Sequence, residues 1–312
     1  MSFDIRSFEE NGFQIIALVD KKSQTQVEII PAYGAMLHAF KIQHKGSQLN
    51  CIDGYRDKND YEKEVRNSFK SVKLSPFACR INDGAYNWQS QQYKVEKTPI
   101  HGLLFDQAFT ITQQQAEDAY ASVTMQHAYK ATDGGYPFTY TCHVQYRLLQ
   151  DTQLEVTSTI TNTHNATIPI MDGWHPYFTT GTPVDQLQLR MASTDIVEFN
   201  DKLIPTGKTL PYEAFEQLGS LNGVFLDNSF ILNQQAKQPL ASLIDPVKGI
   251  TIDFYPQPSY PILQVYTPPH RNSIAIENLS GAPDAFNNGI GLVQLAPGQS
   301  KSFTTTIQIT SK

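Results

Sequence analysis

The chain has 312 residues, 40% of them hydrophobic, and a formal net charge of −6. That length is ample for a sizeable core, and the acidic balance argues against nucleic acid or an anionic membrane as the main partner. The start, Met1-Ser2-Phe3-Asp4-Ile5-Arg6, turns acidic at once and no apolar run is long enough to span a bilayer, so a cytoplasmic location is expected.

Short β-type runs bounded by turn residues follow one another along the chain. Phe13–Val19, Gln26–Ile30, Ala35–Ile42 and Gln48–Ile52 come first. The charged segment Lys58–Arg66 is the only convincing helix near the start. Strands are then expected over Ala108–Thr112, Ala121–Gln126, Phe138–Leu148, Gln153–Thr161 and Gln186–Met191. Val224–Leu232, Ala241–Ile244, Ile250–Phe254, Ile262–Tyr266, Ser273–Glu277, Gly291–Leu295 and Phe303–Thr310 complete the series. In the strand at 153–161, Leu154, Val156, Ser158 and Ile160 alternate with Glu155, Thr157, Thr159 and Thr161, the mark of a half-buried antiparallel strand. Phe303, Thr305, Ile307 and Ile309 repeat the pattern near the C-terminus. So many strands and so few helices predict an all-β protein, a large antiparallel β-sandwich of two sheets. With no repeat and no Gly/Ser-rich linker, residues 1–312 are expected to form one domain.

Cys51, Cys79 and Cys142 are an odd set and read as buried reduced thiols. Eight histidines without a His-x-x-x-His pair, and no Cys-x-x-Cys, predict neither a metal site nor a cofactor. Five stretches are chemically unusual. Leu74–Gly84 sets Arg80 in an apolar segment, where it needs partners. An ion pair with Asp83 or Glu96 satisfies that need, and so does a ligand whose oxygens meet the guanidinium fork. Pro99–Leu104 holds His101 beside a glycine. Ile170–Phe178 places His175 between Trp174 and Pro176, with His175 and Tyr177 on one face and Asp172 and Trp174 on the other. The proline ends a regular ladder near His175, and Gly173 leaves room for a close approach. Phe225–Phe230 sets Asp227 between apolar positions, consistent with a turn aspartate or a ligand acceptor. Glu277 follows the apolar run Ser273–Ile276, either just past a strand end at the surface or buried under the loop Gly281–Asn287.

In their order along the chain, these stretches, with Pro31-Ala32-Tyr33-Gly34-Ala35 ahead of them, resemble the aldose 1-epimerase (galactose mutarotase) family. The resemblance implies that family's large β-sandwich, the galactose mutarotase-like supersandwich, and a monosaccharide substrate. It implies that Glu277 is the catalytic base and His175 the catalytic acid, with His101, Arg80 and Asp227 on the sugar. The loop reads Glu-Asn-Leu-Ser-Gly where many members carry Glu-Pro-Gln-Thr-Gly, and Trp174 replaces a small or polar residue, which marks a divergent branch.

Anomer exchange requires a proton to leave the C1 hydroxyl while another reaches the ring oxygen, and a carboxylate and an imidazolium do both jobs. Arg80, Asp227 and Asn82 are expected to hold hydroxyls, and Tyr177, Phe178 or Trp174 to pack on the ring. Three other readings remain open. A hexose 6-phosphate substrate is conceivable with Arg271 on the phosphate. A glycoside hydrolase would use Asp227 and Glu277 as its carboxylate pair. A non-catalytic sugar-binding protein would dispense with the acid–base pair.

Overall fold

The computed structural model describes residues 1–312 and is built almost wholly of antiparallel strands. A nine-stranded sheet forms one layer; its centre is Tyr140–Leu149, Gln153–Asn162 and Ser300–Ser311. Alternate residues of these strands are buried, as the period-two pattern requires: Tyr140, Cys142, Val144, Tyr146 and Leu148 point to the core. The facing layer comes in two pieces. One is a five-stranded meander, Phe3–Glu10, Phe13–Asp20, Thr25–Ile30, Met36–His44 and Ser47–Asn50. The other is an eight-stranded sheet in the order 205–211, 195–199, 227–231, 262–266, 274–279, 173–174 and 73–74, with 177–178 also paired to 274–279. Tyr146 joins the layers: its hydroxyl donates to the Ala35 carbonyl (2.8 Å), and its ring meets Trp174 edge-on. One continuous cluster of 80 buried apolar residues runs between them.

The expected all-β architecture and the strand series are present. The helix is Lys58–Ser68, opened by Asp57, whose carboxylate accepts from the Asp60 N–H (2.8 Å). The strands not anticipated include Phe3–Glu10, the hairpin Ala85–Trp88 with Gln91–Lys94, and the hairpin Asp195–Phe199 with Pro205–Pro211. Phe3–Glu10 and Pro205–Pro211 are largely exposed or half-buried on both faces, so they carry little apolar alternation. No helix is long and apolar enough to cross a membrane. All three cysteines are free and buried.

Candidate active site

The eight-stranded sheet assembles the site by register. Glu277 pairs with Gln264, which pairs with Ser229; Ala275 pairs with Tyr266, which pairs with Asp227. Directly opposed residues share a face, and so do residues two apart. Glu277, Gln264, Tyr266 and Asp227 therefore all project to one side, and Tyr177 joins them because it pairs with Ala275. The strand Ile274–Leu279 runs two residues past Glu277, so this carboxylate lies inside a strand and is 1% exposed. That decides between the two placements open to it in the sequence.

His175 falls in the break between Gly173–Trp174 and Tyr177–Phe178. The ladder stops there, as Pro176 requires, and the backbone is held sideways instead. His175 N–H donates to the Val72 carbonyl (3.2 Å), and Ser71 N–H donates to the His175 carbonyl (2.8 Å). The space beside Gly173 is taken by Leu279 from the neighbouring strand; a β-carbon on Gly173 would lie 2.6 Å from a Leu279 methyl. Trp174 goes to the opposite side, into the core.

Arg80 and His101 arrive on two loops stitched together. His101 N–H donates to the Cys79 carbonyl (2.7 Å) and Ile81 N–H to the Pro99 carbonyl (2.8 Å). Leu103 N–H donates to the Ser75 carbonyl (2.7 Å). Gly102 is required there, because a β-carbon would sit 2.3 Å from the Ser75 oxygen. Cys79 and His101 both hold left-handed backbone, with φ of +50° and +62°. Such conformations cluster at functional sites.

These parts enclose a cavity of about 330 Å³ lined by Arg80, His101, His175, Asp227 and Glu277, among others. His175 Nε2 stands 3.4 Å from Glu277 Oε1. The His101 ring meets His175 edge-on at 4.7 Å, and Tyr177 stacks on His175 at 5.1 Å. Gln264 Nε2 donates to Asp227 Oδ1 (2.8 Å). Arg80 makes no salt bridge: Asp83 pairs with Lys202 at the surface, and Glu96 lies beside Gly134. Glu277 Oε2 and His101 Nδ1 are buried without a hydrogen-bond partner.

Burial sets the protonation of the empty pocket. It pushes the Glu277 carboxyl well above the usual carboxylate range, and the nearby Asp227 adds to this. It pulls His175 down to about 4. His101 falls well below its ordinary value through burial, with His175 and Arg80 adding to the effect. Asp227 is raised by burial, which outweighs Arg80 and the Gln264 hydrogen bond. Burial thus favours the neutral form of both Glu277 and His175.

Asn82 is not in the wall of this cavity. Its side chain is exposed, and its backbone N–H donates to Asp284 Oδ1 (2.9 Å). Arg271, the candidate phosphate contact, lies elsewhere as well: it binds Asp185 (2.8 Å) and the carbonyls of Leu221 and Val224. Of the three aromatics named as ring-packing groups, only Tyr177 lines the cavity; Phe178 packs on Phe254 and Trp174 on Tyr146. Sequence reasoning missed Gln264 and Tyr266, together with Phe199 and Leu203, which come from the unanticipated hairpin. For Gln264 the available signal was its period-two spacing from Tyr266 in a predicted strand.

Carboxylates, imidazoles and a guanidinium thus converge on one pocket of an antiparallel β-sandwich. The family model "Aldose 1-epimerase" matches residues 16–308, so the chain belongs to the aldose 1-epimerase family. Uncharacterized protein YihR of Escherichia coli (strain K12) is 27% identical over 238 residues, covering 72% of this chain and 74% of that protein. YphB of the same organism, also described as uncharacterized, is 26% identical over 252 residues, 76% of this chain and 82% of its own. A galactose mutarotase-like protein from Clostridium acetobutylicum superposes with a TM-score of 0.88 at 16% identity, over 100% of this chain and 99% of that one. Galactose 1-epimerase from Lactobacillus acidophilus NCFM gives a TM-score of 0.81 at 18% identity, over 99% and 98%. At these identities the structural likeness establishes the fold.

Proposed function

We propose that the protein is an aldose 1-epimerase, an isomerase that interconverts the α and β anomers of a free monosaccharide by opening and reclosing its ring. The observation that carries this reading is the 3.4 Å approach of His175 Nε2 to Glu277 Oε1 on the wall of a monosaccharide-sized cavity. The C1 hydroxyl and the ring oxygen share one carbon, so an acid and a base this close reach both at once.

Burial favours a protonated Glu277 carboxyl and a neutral His175. A bound sugar brings hydroxyl donors to the carboxylate, which then has the partners that burial denied it, and the proton passes to His175. Glu277 takes the C1 hydroxyl proton as His175 gives its own to the ring oxygen. The C1–O5 bond breaks and the open-chain aldehyde turns about C1–C2. Attack of the O5 hydroxyl on the other face of C1 reverses both transfers. Two protons move and no electrons, so the step as written calls on no cofactor. Arg80, His101 and Asp227, the last steadied by Gln264, hold ring hydroxyls, and Tyr177 fixes the plane of His175.

Polarimetry of freshly dissolved α-D-glucose, α-D-galactose and a wider aldose panel tests the reading. The expected result is faster decay of optical rotation with protein for at least one free aldose, and no acceleration with Glu277→Gln. Acceleration confined to glucose 6-phosphate would move the substrate to sugar phosphates. Sugar binding without any acceleration would reduce the protein to a binder.

A further inference from the structure

The catalytic wall contains one more donor than proton transfer needs. His101, His175 and Glu277 each present one ligand atom, and the three atoms lie within 4.8 Å of one another. A tetrahedral site with metal–ligand bonds of about 2.0–2.1 Å has edges of roughly 3.3–3.4 Å. The His175–Glu277 separation of 3.4 Å already matches such an edge, and the His101 ligand atom lies within 4.8 Å of both. Glu277 Oε2 and His101 Nδ1 have no partner in the protein. The remaining coordination position opens on the cavity, where water or a sugar hydroxyl fits. Two ring nitrogens and one carboxylate suit zinc and its later first-row neighbours and do not suit magnesium or calcium, which want oxygen throughout. The three residues are 74 and 102 positions apart along the chain, so no short spacing motif announces the set.

We infer that a zinc-class divalent cation binds His101, His175 and Glu277 in competition with the sugar, and so inhibits the protein. Such an ion occupies the lone pairs that the acid and base use and fills the space of the anomeric carbon. Arg80 opposes the ion's charge and Asp227 favours it, so both sit on the balance that sets affinity. The competition rests on the function proposed above; the binding does not.

The test uses the full chain, freed of metal with a chelator. Without sugar, Co²⁺ is titrated to follow its visible ligand-field bands, and Zn²⁺ is then added in the presence of a chromophoric chelator. One equivalent of Co²⁺ is expected to give bands of low coordination number that Zn²⁺ abolishes. His101→Asn and Glu277→Gln, each checked for folding by circular dichroism, are expected to weaken Zn²⁺ by more than the 10–100-fold that losing an outer-shell partner costs. His270→Asn, on an exposed turn, leaves Zn²⁺ affinity unchanged. In the second arm, Zn²⁺ raises the apparent KM for the best aldose and leaves kcat alone. No Zn²⁺ binding by the wild-type protein, or binding untouched by both site substitutions, overturns the site. A fall in kcat at constant KM overturns the competition. Zn²⁺ binding in a protein without mutarotation would leave the site standing and remove only the proposed function.

Discussion

Two buried pairs of ionisable groups lie back to back in the eight-stranded sheet. On the core side, Lys73 Nζ donates to Asp172 Oδ1 and to the Gly173 carbonyl (3.0 Å), and its charge lies 4.8 Å from the centre of the Trp174 ring. Asp172 Oδ2 accepts from the Tyr260 hydroxyl (2.6 Å), and Asp172 N–H donates to Ser280 Oγ (2.9 Å). On the cavity side, His175 and Glu277 have only each other and a void. Both pairs have lost their water, which is costly in either place. The first recovers that loss inside the protein, so it acts as structure. The second is left open, and a ligand must complete it. A site here is recognised less by burial than by burial with unspent hydrogen-bonding capacity facing an accessible cavity.

The largest effects should come from breaking either pair. Glu277→Gln or His175→Asn is expected to lower kcat on the preferred aldose by about 10²–10⁴-fold with the fold retained, as each removes one proton-transfer group. Stopped-flow polarimetry with a parallel melting curve checks this. Asp172→Asn or Lys73→Met should instead unfold the protein more easily, by about 3–5 kcal/mol in denaturant titration, because one buried charge loses its partner. The double change Lys73→Met with Asp172→Leu should recover most of that loss. If the single changes are silent, the core pair is not the structural element described here.

Gln264→Leu sharpens the contrast, since Gln264 is a bonded group inside the open region. Loss of its hydrogen bond to Asp227 should cost about 1–2 kcal/mol, seen as a KM raised roughly tenfold or more while kcat moves little. A smaller and opposite effect concerns stability. The folded pKa of Glu277 is raised above its ordinary 4.5, so its contribution to stability is full below that pH and is lost as pH rises toward the folded value. Glu277→Gln does not titrate. It should therefore gain on the wild type as pH rises. Chemical denaturation at pH 5 and pH 8 measures the trend, and a Gln variant that loses ground at pH 8 contradicts the protonated carboxyl. The smallest effect is expected at Asn82, outside the cavity wall: Asn82→Ala should change kcat/KM less than twofold.

The same contrast explains what the sequence disclosed. Arg80, His101, His175, Asp227 and Glu277 each stand in a short contiguous stretch, and the order of those stretches was visible in one dimension. The face of His175 followed from alternation, with Trp174 sent to the core. Gln264 was hidden because its role depends on which residue of the neighbouring strand it opposes, a fact of register. Asn82 carries the right donors and acceptors in sequence, yet beside the left-handed turn at Asp83, with φ of +51°, its side chain is exposed and outside the cavity wall. Lys73 and Asp172 are 99 residues apart, and nothing local marks a buried lysine. The edge strand Pro205–Pro211 of the hairpin 195–211 carries no apolar period because it is exposed along its length.

That hairpin has a consequence for how the protein can change. Phe199 and Leu203 reach the cavity from the outermost margin of the eight-stranded sheet, whereas Glu277 stands in its middle and His175 beside it. Insertions, deletions or loop grafts between residues 199 and 205 would remodel one wall while the proton-transfer groups stay put. Selection for a new sugar therefore has a peripheral place to work, and a library confined to that loop should yield altered preference among folded, active variants.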